Sequence, residues 1–273
     1  MQGPAVITST SNPAVRAAAA LRDRRDRETN GLSLVDGGRE LRRALEAGFE
    51  IVEAFACPPL VAGDDARLAL SLLEERSIPT RLVTPGVLAR VAFGDRTEGL
   101  VGVVRVPDLA LAALEPRLSA APLLAVVESI EKPGNLGAIL RVADGAGVDA
   151  VIAADPRTDC FNPNAIRASL GTIFTVPLAA ASTPAVLEWL RARRISVVAA
   201  RVDAARPYTG ADLTAPVAIV LGSEAVGLSP GWTEPDVTGV RLPMRGAADS
   251  LNVATAAAIL LYEARRQRDA VAT

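Results

Sequence analysis

Histidine is absent from all 273 residues. That removes the commonest general base and the commonest metal ligand from any mechanism. Cys57 and Cys160 are the only cysteines, and neither has a second thiol nearby in sequence to complete a metal site, so both read as reduced core residues. Aromatic residues make up 3% of a chain that is 50% hydrophobic, so the core has to be built from Ala, Val, Leu and Ile, as in helix-covered parallel sheets. Lysine occurs once, at Lys132, and the formal net charge is -2. Bulk charge therefore announces no nucleic-acid partner, and any such site has to be a local arginine patch. No apolar run approaches the ~20 residues of a membrane span. The opening Met1-Gln2-Gly3-Pro4 lacks the charged and apolar regions of a secretion signal. These absences predict a soluble cytoplasmic protein that uses neither metal nor membrane.

What is present is an alternation of strand and helix patterns. Asn12-Pro13 supplies a helix cap and a first helical proline, and the helix is expected to run on into the arginine-dense stretch that ends at Arg27. Strands are predicted at 32–35, 51–56, 80–83 and 100–106, with helices at 38–47, 64–76 and 85–91 between them. Residues 107–122, rich in Ala, Leu and Pro without a strand pattern, read as a linker. Beyond it come strands at 123–127, 150–154, 173–176, 196–200 and 217–221. Helices are expected at 136–146, 163–170 and 184–194, with a turn at 132–135. The expectation is an α/β chain of two domains: residues 1–106, the linker 107–122, and a parallel-sheet domain over 123–273. Two apolar segments, a small-residue loop and an Ala-rich helix converge in 221–268, where a parallel sheet would place a ligand outside its strand ends.

Familiar nucleotide signatures do not fit. Gly145-Ala146-Gly147 closes a helix instead of opening one, against the dinucleotide fingerprint, and Lys132 is followed by Pro133, against the phosphate-binding loop. Ser169 and Ser250 lack the context of a nucleophilic serine and have no histidine to activate them. Three spaced segments remain. They are Pro133-Gly134-Asn135-Leu136-Gly137 with Arg141, Leu221-Gly222-Ser223-Glu224 with Gly227-Leu228, and Leu242-Pro243-Met244 with Ser250-Leu251-Asn252. In this order they resemble the signature motifs of the SpoU family of S-adenosylmethionine-dependent RNA ribose 2′-O-methyltransferases, within the SPOUT superfamily. Residues 6–106 resemble the ribosomal-protein-like substrate-binding domain that often precedes it, through Ser11-Asn12-Pro13, the arginine-rich helix and Val35-Asp36-Gly37-Gly38-Arg39-Glu40.

The resemblance implies a deep trefoil knot, a homodimer with the last helix at its interface, and S-adenosylmethionine as cofactor. It places the cofactor on Leu221, Gly222, Leu242, Met244, Ser250, Leu251 and Asn252. The catalytic set it implies is Asn135, Arg141, Glu224, Ser250 and Asn252. Arg141 matches the residue favoured for catalysis in the family. A guanidinium stays protonated and cannot serve as a base, so the chemical reading is a cation that binds the target phosphate and stabilises the developing alkoxide, with Asn135 orienting it. Glu224 has a second reading, as a cap or ion-pair partner that orders its loop. RNA contacts are expected from Arg22, Arg24, Arg25, Arg39, Arg167 and Ser169, because arginine offers phosphate a bidentate fork. The expected substrate is ribosomal RNA. The subclass resembled is that of methyltransferases protecting large-subunit ribosomal RNA against thiopeptide antibiotics. The alternatives are a transfer RNA target, a non-catalytic RNA-binding or ribosome-assembly protein, and a small-molecule α/β enzyme using another nucleotide.

Overall fold

The computed structural model describes residues 5–94, 98–223 and 227–272. Glu224 lies outside the described residues. The chain divides into two units, Met1–Pro107 with Phe161–Thr175, and Asp108–Cys160 with Val176–Thr273.

The first unit opens with α1 (Pro13–Ala20), where the Asn12 side chain accepts from the Ala14 N–H at 2.9 Å. The expected continuous helix is instead broken at residues 21–23. Asp23 caps a separate α2 (Arg24–Asn30) by accepting from the Arg25 N–H at 2.8 Å. Arg27 is the reason the break holds: it is buried, and its guanidinium donates to the Leu21 and Arg22 carbonyls that α1 leaves unpaired. Then follow β1 (Leu32–Asp36), α3 (Gly38–Glu46), β2 (Ile51–Ala56), α4 (Asp64–Glu75), β3 (Thr80–Leu82), α5 (Pro85–Val91) and β4 (Leu100–Arg105). The sheet has the order β1-β4-β2-β3, with β4 antiparallel to β1 and β2 and β3 parallel to β2. Leu34, Phe55, Val87, Leu88 and Val101 fill its core.

The 107–122 segment carries a short 3-10 helix, Leu111–Arg117, whose Leu114 is buried in the core of the second unit. In that unit β5 (Leu123–Glu128) leads into α6 (Pro133–Ala146) and β6 (Ala150–Ala154). The turn expected at 132–135 is thus partly the first turn of α6, with Pro133 at its start, where a missing N–H costs nothing. The chain then enters the first unit as α7 (Pro163–Ala168) and a 3-10 turn, Thr172–Phe174, in place of the strand expected at 173–176. Phe174 packs edge-on against Phe49 at 4.9 Å, and the buried Ser33 hydroxyl donates to the Phe161 carbonyl. An aromatic residue that reads as a strand position here packs on an aromatic partner inside the first unit.

The chain returns as β7 (Leu178–Ala181), α8 (Thr183–Ala192), β8 (Ser196–Ala200), β9 (Val217–Leu221), β10 (Val237–Val240) and α9 (Val253–Ala272). Six strands, ordered β10-β8-β9-β5-β6-β7, pair in parallel throughout. Every residue of the central strands β5, β6 and β9 is buried, so apart from Glu128 at the end of β5 they read as Val, Ala, Leu and Ile runs without alternation. The long α9 packs on α6 and on the sheet, and Arg265 pins it there by donating to the Ala146 and Gly147 carbonyls where α6 ends.

Candidate active site

In the second unit the carboxyl ends of β8 and β9, the loop beyond β10 and the start of α9 enclose a cavity of about 480 Å³. This is where a parallel sheet leaves unpaired polar ends and room for a ligand. Of the residues expected to hold a cofactor, Leu221, Gly222, Leu242, Met244, Ser250 and Leu251 all line it. Leu251 is 36% exposed, an apolar side chain facing open space at the start of a helix. Asn252 stands between two lining residues, Leu251 and Val253.

Glycine is required at position 222. A Cβ there would overlap the Gly227 carbonyl carbon and lie 2.6 Å from the Leu228 nitrogen, both backbone atoms. The close approach is stabilised by Ser223 and Gly227, which exchange N–H to carbonyl bonds at 3.2 and 3.1 Å. Both residues of this pair line the cavity.

Asn135 and Asn252 meet at the start of two helices. The Asn252 side-chain amide donates to Asn135 Oδ1 at 3.3 Å, and Asn252 Oδ1 accepts from the Ala254 N–H at 3.0 Å, opening α9. Arg141 is exposed on α6 and is not among the residues lining the cavity. The structure therefore joins the first motif to the third through Asn135, and leaves Arg141 presented outward.

The wall also contains residues that sequence reasoning missed: Ala200 at the end of β8, and Arg201, Val202 and Asp203 just past it. Arg201 and Asp203 pair at 2.6 Å, and the Arg201 guanidinium holds the Asp203 carboxyl below the usual carboxylate range. The available signal was positional, since β8 lies beside β9 and its end has to border the same crevice.

The expected RNA contacts all lie in the first unit. Arg22 is exposed and sits over the Phe93 ring at 5.9 Å, and Arg25 is exposed. Arg24 pairs with Glu28 and Arg39 with Asp65, both at the surface, where such pairs are worth little and are easily exchanged. Arg167 is different, because it pairs at 3.2 Å with Asp36, whose side chain is 5% exposed. Burial pushes the Asp36 carboxyl up to about 6, opposed by the Phe93 N–H and by Arg167. Ser169 corrects the expectation. It is fully buried, its hydroxyl donates to the Ile166 carbonyl at 2.7 Å and accepts from the Gly171 N–H, so it fixes the turn after α7 and presents nothing to RNA.

Comparison with known proteins identifies the family. Residues 122–262 match the SpoU rRNA Methylase family, and residues 12–102 match the MRM3-like substrate binding domain. The chain belongs to the SpoU rRNA methylase family. Among SpoU relatives it is 27% identical to the 23S rRNA (guanosine(2553)-2′-O)-methyltransferase RlmP of Bacillus subtilis (strain 168), over 95% of this chain and 98% of that one. A crystal structure of an RNA 2′-O ribose methyltransferase superposes with a TM-score of 0.83 at 39% identity, covering 97% of this chain and 99% of the other. The SpoU methyltransferase AviRb from Streptomyces viridochromogenes, in complex with the cofactor AdoMet, superposes with a TM-score of 0.82 at 29% identity, covering 94% and 98%. The SpoU match spans 161–175, the segment that contributes to the first unit. Among the described residues, no group of His, Cys, Asp and Glu could hold a metal ion, and no helix is long and apolar enough to cross a membrane.

Proposed function

We propose that this chain transfers a methyl group from S-adenosylmethionine to a ribose 2′-hydroxyl of ribosomal RNA. The observation that carries the reading is the single cavity lined by Gly222, Leu242, Met244, Ser250 and Leu251, with Asn252 beside it hydrogen-bonded to Asn135. Its size and mixed lining suit a nucleoside with an amino-acid arm. Leu221, Leu242 and Leu251 line the cavity and would cover the faces of an adenine, while the backbone at Gly222 and Met244 would read its edge. Bound there, the cofactor supplies an electrophilic methyl on a sulfonium. The protein's part is to hold the acceptor ribose in line, and such positioning is worth on the order of 7–11 kcal/mol. Arg141 would bind the target phosphate and stabilise the alkoxide, with Asn135 orienting the acceptor through its tie to Asn252.

Arg22, Arg24, Arg25 and Arg39 would contact RNA phosphates from the first unit. Two further readings follow family membership. The chain runs from β9 in mid-sheet out to β10 at the edge and back to α9, which packs on β5 and β9, and this return supports a trefoil knot. Ala254, Ala258 and Tyr262 lie at i, i+4 and i+8 on α9, with Tyr262 52% exposed, which supports a homodimer packed through this helix. A cytoplasmic location accords with a ribosomal RNA substrate. Ribosomal RNA is favoured over transfer RNA by the named relatives.

The test is incubation with labelled S-adenosylmethionine and separate ribosomal and transfer RNA pools, followed by mapping of the labelled nucleotide. Label on a ribose of 23S rRNA is the expected result. Label confined to transfer RNA would move the substrate, and label in neither pool despite cofactor binding would sink the methyltransferase reading.

A further inference from the structure

One buried carboxylate near the cavity takes no part in the chemistry above. Glu128 is the last residue of β5, in the middle of the six-stranded sheet, and is 4% exposed. An ionised carboxylate at such a place is costly unless donors satisfy it. Three do. Oε1 accepts from the Thr183 hydroxyl at 2.8 Å and from the Ser229 hydroxyl at 2.6 Å, and Oε2 accepts from the Ser229 N–H at 2.7 Å. Two of the three donors thus belong to one residue, and that residue directly follows Gly227 and Leu228 in the cavity wall. Thr183, the third partner, starts α8, which contributes no lining residue.

We propose that Glu128 is a positioning residue for the cofactor: by clamping Ser229 from behind, it fixes the Gly227-Leu228 wall against which the ligand sits. The inference rests on the S-adenosylmethionine reading of the cavity. Ser223 and Gly227 bond to each other and tie Gly227 to the end of β9, but Leu228 lies beyond that pair and needs an anchor of its own. Glu128 provides that anchor, from the strand that runs beside β9 and so shares its frame. Glu128→Gln keeps the shape but has one oxygen instead of two, so the Ser229 N–H and the Ser229 hydroxyl can no longer each be held by a carboxylate oxygen.

The experiment measures S-adenosylmethionine binding by titration calorimetry on the full chain, with steady-state methyl transfer and thermal unfolding alongside. Glu128→Gln is expected to weaken cofactor binding by about tenfold and raise the cofactor KM in step, with kcat at saturating cofactor within about twofold of wild type. Thr183→Val removes the other partner of the same carboxylate and is expected to lower stability while leaving cofactor affinity within about twofold. If Glu128→Gln does not fold, Ser229→Ala, which deletes only the hydroxyl donor, is expected to weaken binding by about threefold or more. Wild-type affinity in the folded carboxylate or serine variant, or an equal loss in Thr183→Val, overturns the positioning role. A wild-type chain that binds no S-adenosylmethionine overturns the cofactor reading itself, and this proposal with it.

Discussion

Asn252 donates a hydrogen bond to Asn135 across 117 residues of sequence. The same Asn252 side chain accepts from Ala254 and so helps start α9. One residue therefore links helix initiation to the placement of Asn135. Asn252→Asp preserves the cap acceptor and inverts the polarity of the contact with Asn135. It is expected to shift the thermal midpoint by less than about 2 °C while lowering methyl transfer by about tenfold or more. Asn252→Ala loses both bonds and is expected to cost an additional stability of about 1 kcal/mol. Parallel melting curves and rates separate the two effects, and equal activity in wild type and Asn252→Asp would remove this contact from the mechanism.

Arg141 is exposed, so its truncation should leave folding alone. Methyl transfer by Arg141→Ala is expected to fall by about a hundredfold, the usual consequence of removing one group that stabilises developing charge. Survival of activity within about threefold at unchanged folding would show that Arg141 is not catalytic.

Gly222 and Gly134 make a matched pair. A methyl at Gly222 runs into Gly227 and Leu228 backbone, whereas at Gly134 nothing lies within 4 Å. Gly222→Ala is expected to destabilise the chain by about 1–3 kcal/mol and to abolish cofactor binding. Gly134→Ala, inside α6, is expected to be neutral or to stabilise by up to about 1 kcal/mol. Chemical denaturation of both variants checks the pair.

Asp36 in the first unit gives a pH signature. Burial raises its carboxyl from 3.8 to about 6, so on raising the pH the unfolded chain gives up this proton before the folded one does. The stability contributed is complete below about pH 4, is lost as the pH rises through about 6, and amounts to on the order of 3 kcal/mol. Asp36→Asn should flatten that part of the stability profile while keeping an acceptor for the Phe93 N–H. Unfolding free energies measured from pH 4 to pH 8 for both proteins give the difference. An unchanged slope would mean that the carboxyl titrates normally.

Much of this architecture could be read from the chain because burial on both faces leaves a plain mark. The Val, Ala and Leu runs that form β5, β6 and β9 are strands with helices over both sides, and nothing else suits them. Several residues of the cavity lining were legible as a set: Gly222, Leu242 and Leu251 are unremarkable singly, and only their ordered spacing with Asn135 pointed to a shared pocket. What escaped were choices made by tertiary contact. Residues 173–176 carry a strand-like pattern, yet Phe174 finds Phe49 and Phe161 and becomes a turn. Arg27 looks like one more surface arginine until its guanidinium closes the end of α1. Ser169 lies in a motif expected to meet RNA, but its hydroxyl is consumed by its own turn. Glu128 carries no sequence signal at all, since a strand that ends in Glu is ordinary and its meaning comes from Ser229, 101 residues on.

The excursion of 161–175 bears on how such a protein could be assembled from parts. The backbone passes from one unit to the other at 107–108, leaves again at 160–161 and comes back at 175–176. Exchange of the N-terminal portion by recombination at one junction would carry away Phe49, Ser33 and Arg43 while leaving behind the Phe161, Phe174 and Leu170 groups that they hold. The first unit of this chain is heritable intact only together with a fifteen-residue passenger encoded inside its neighbour.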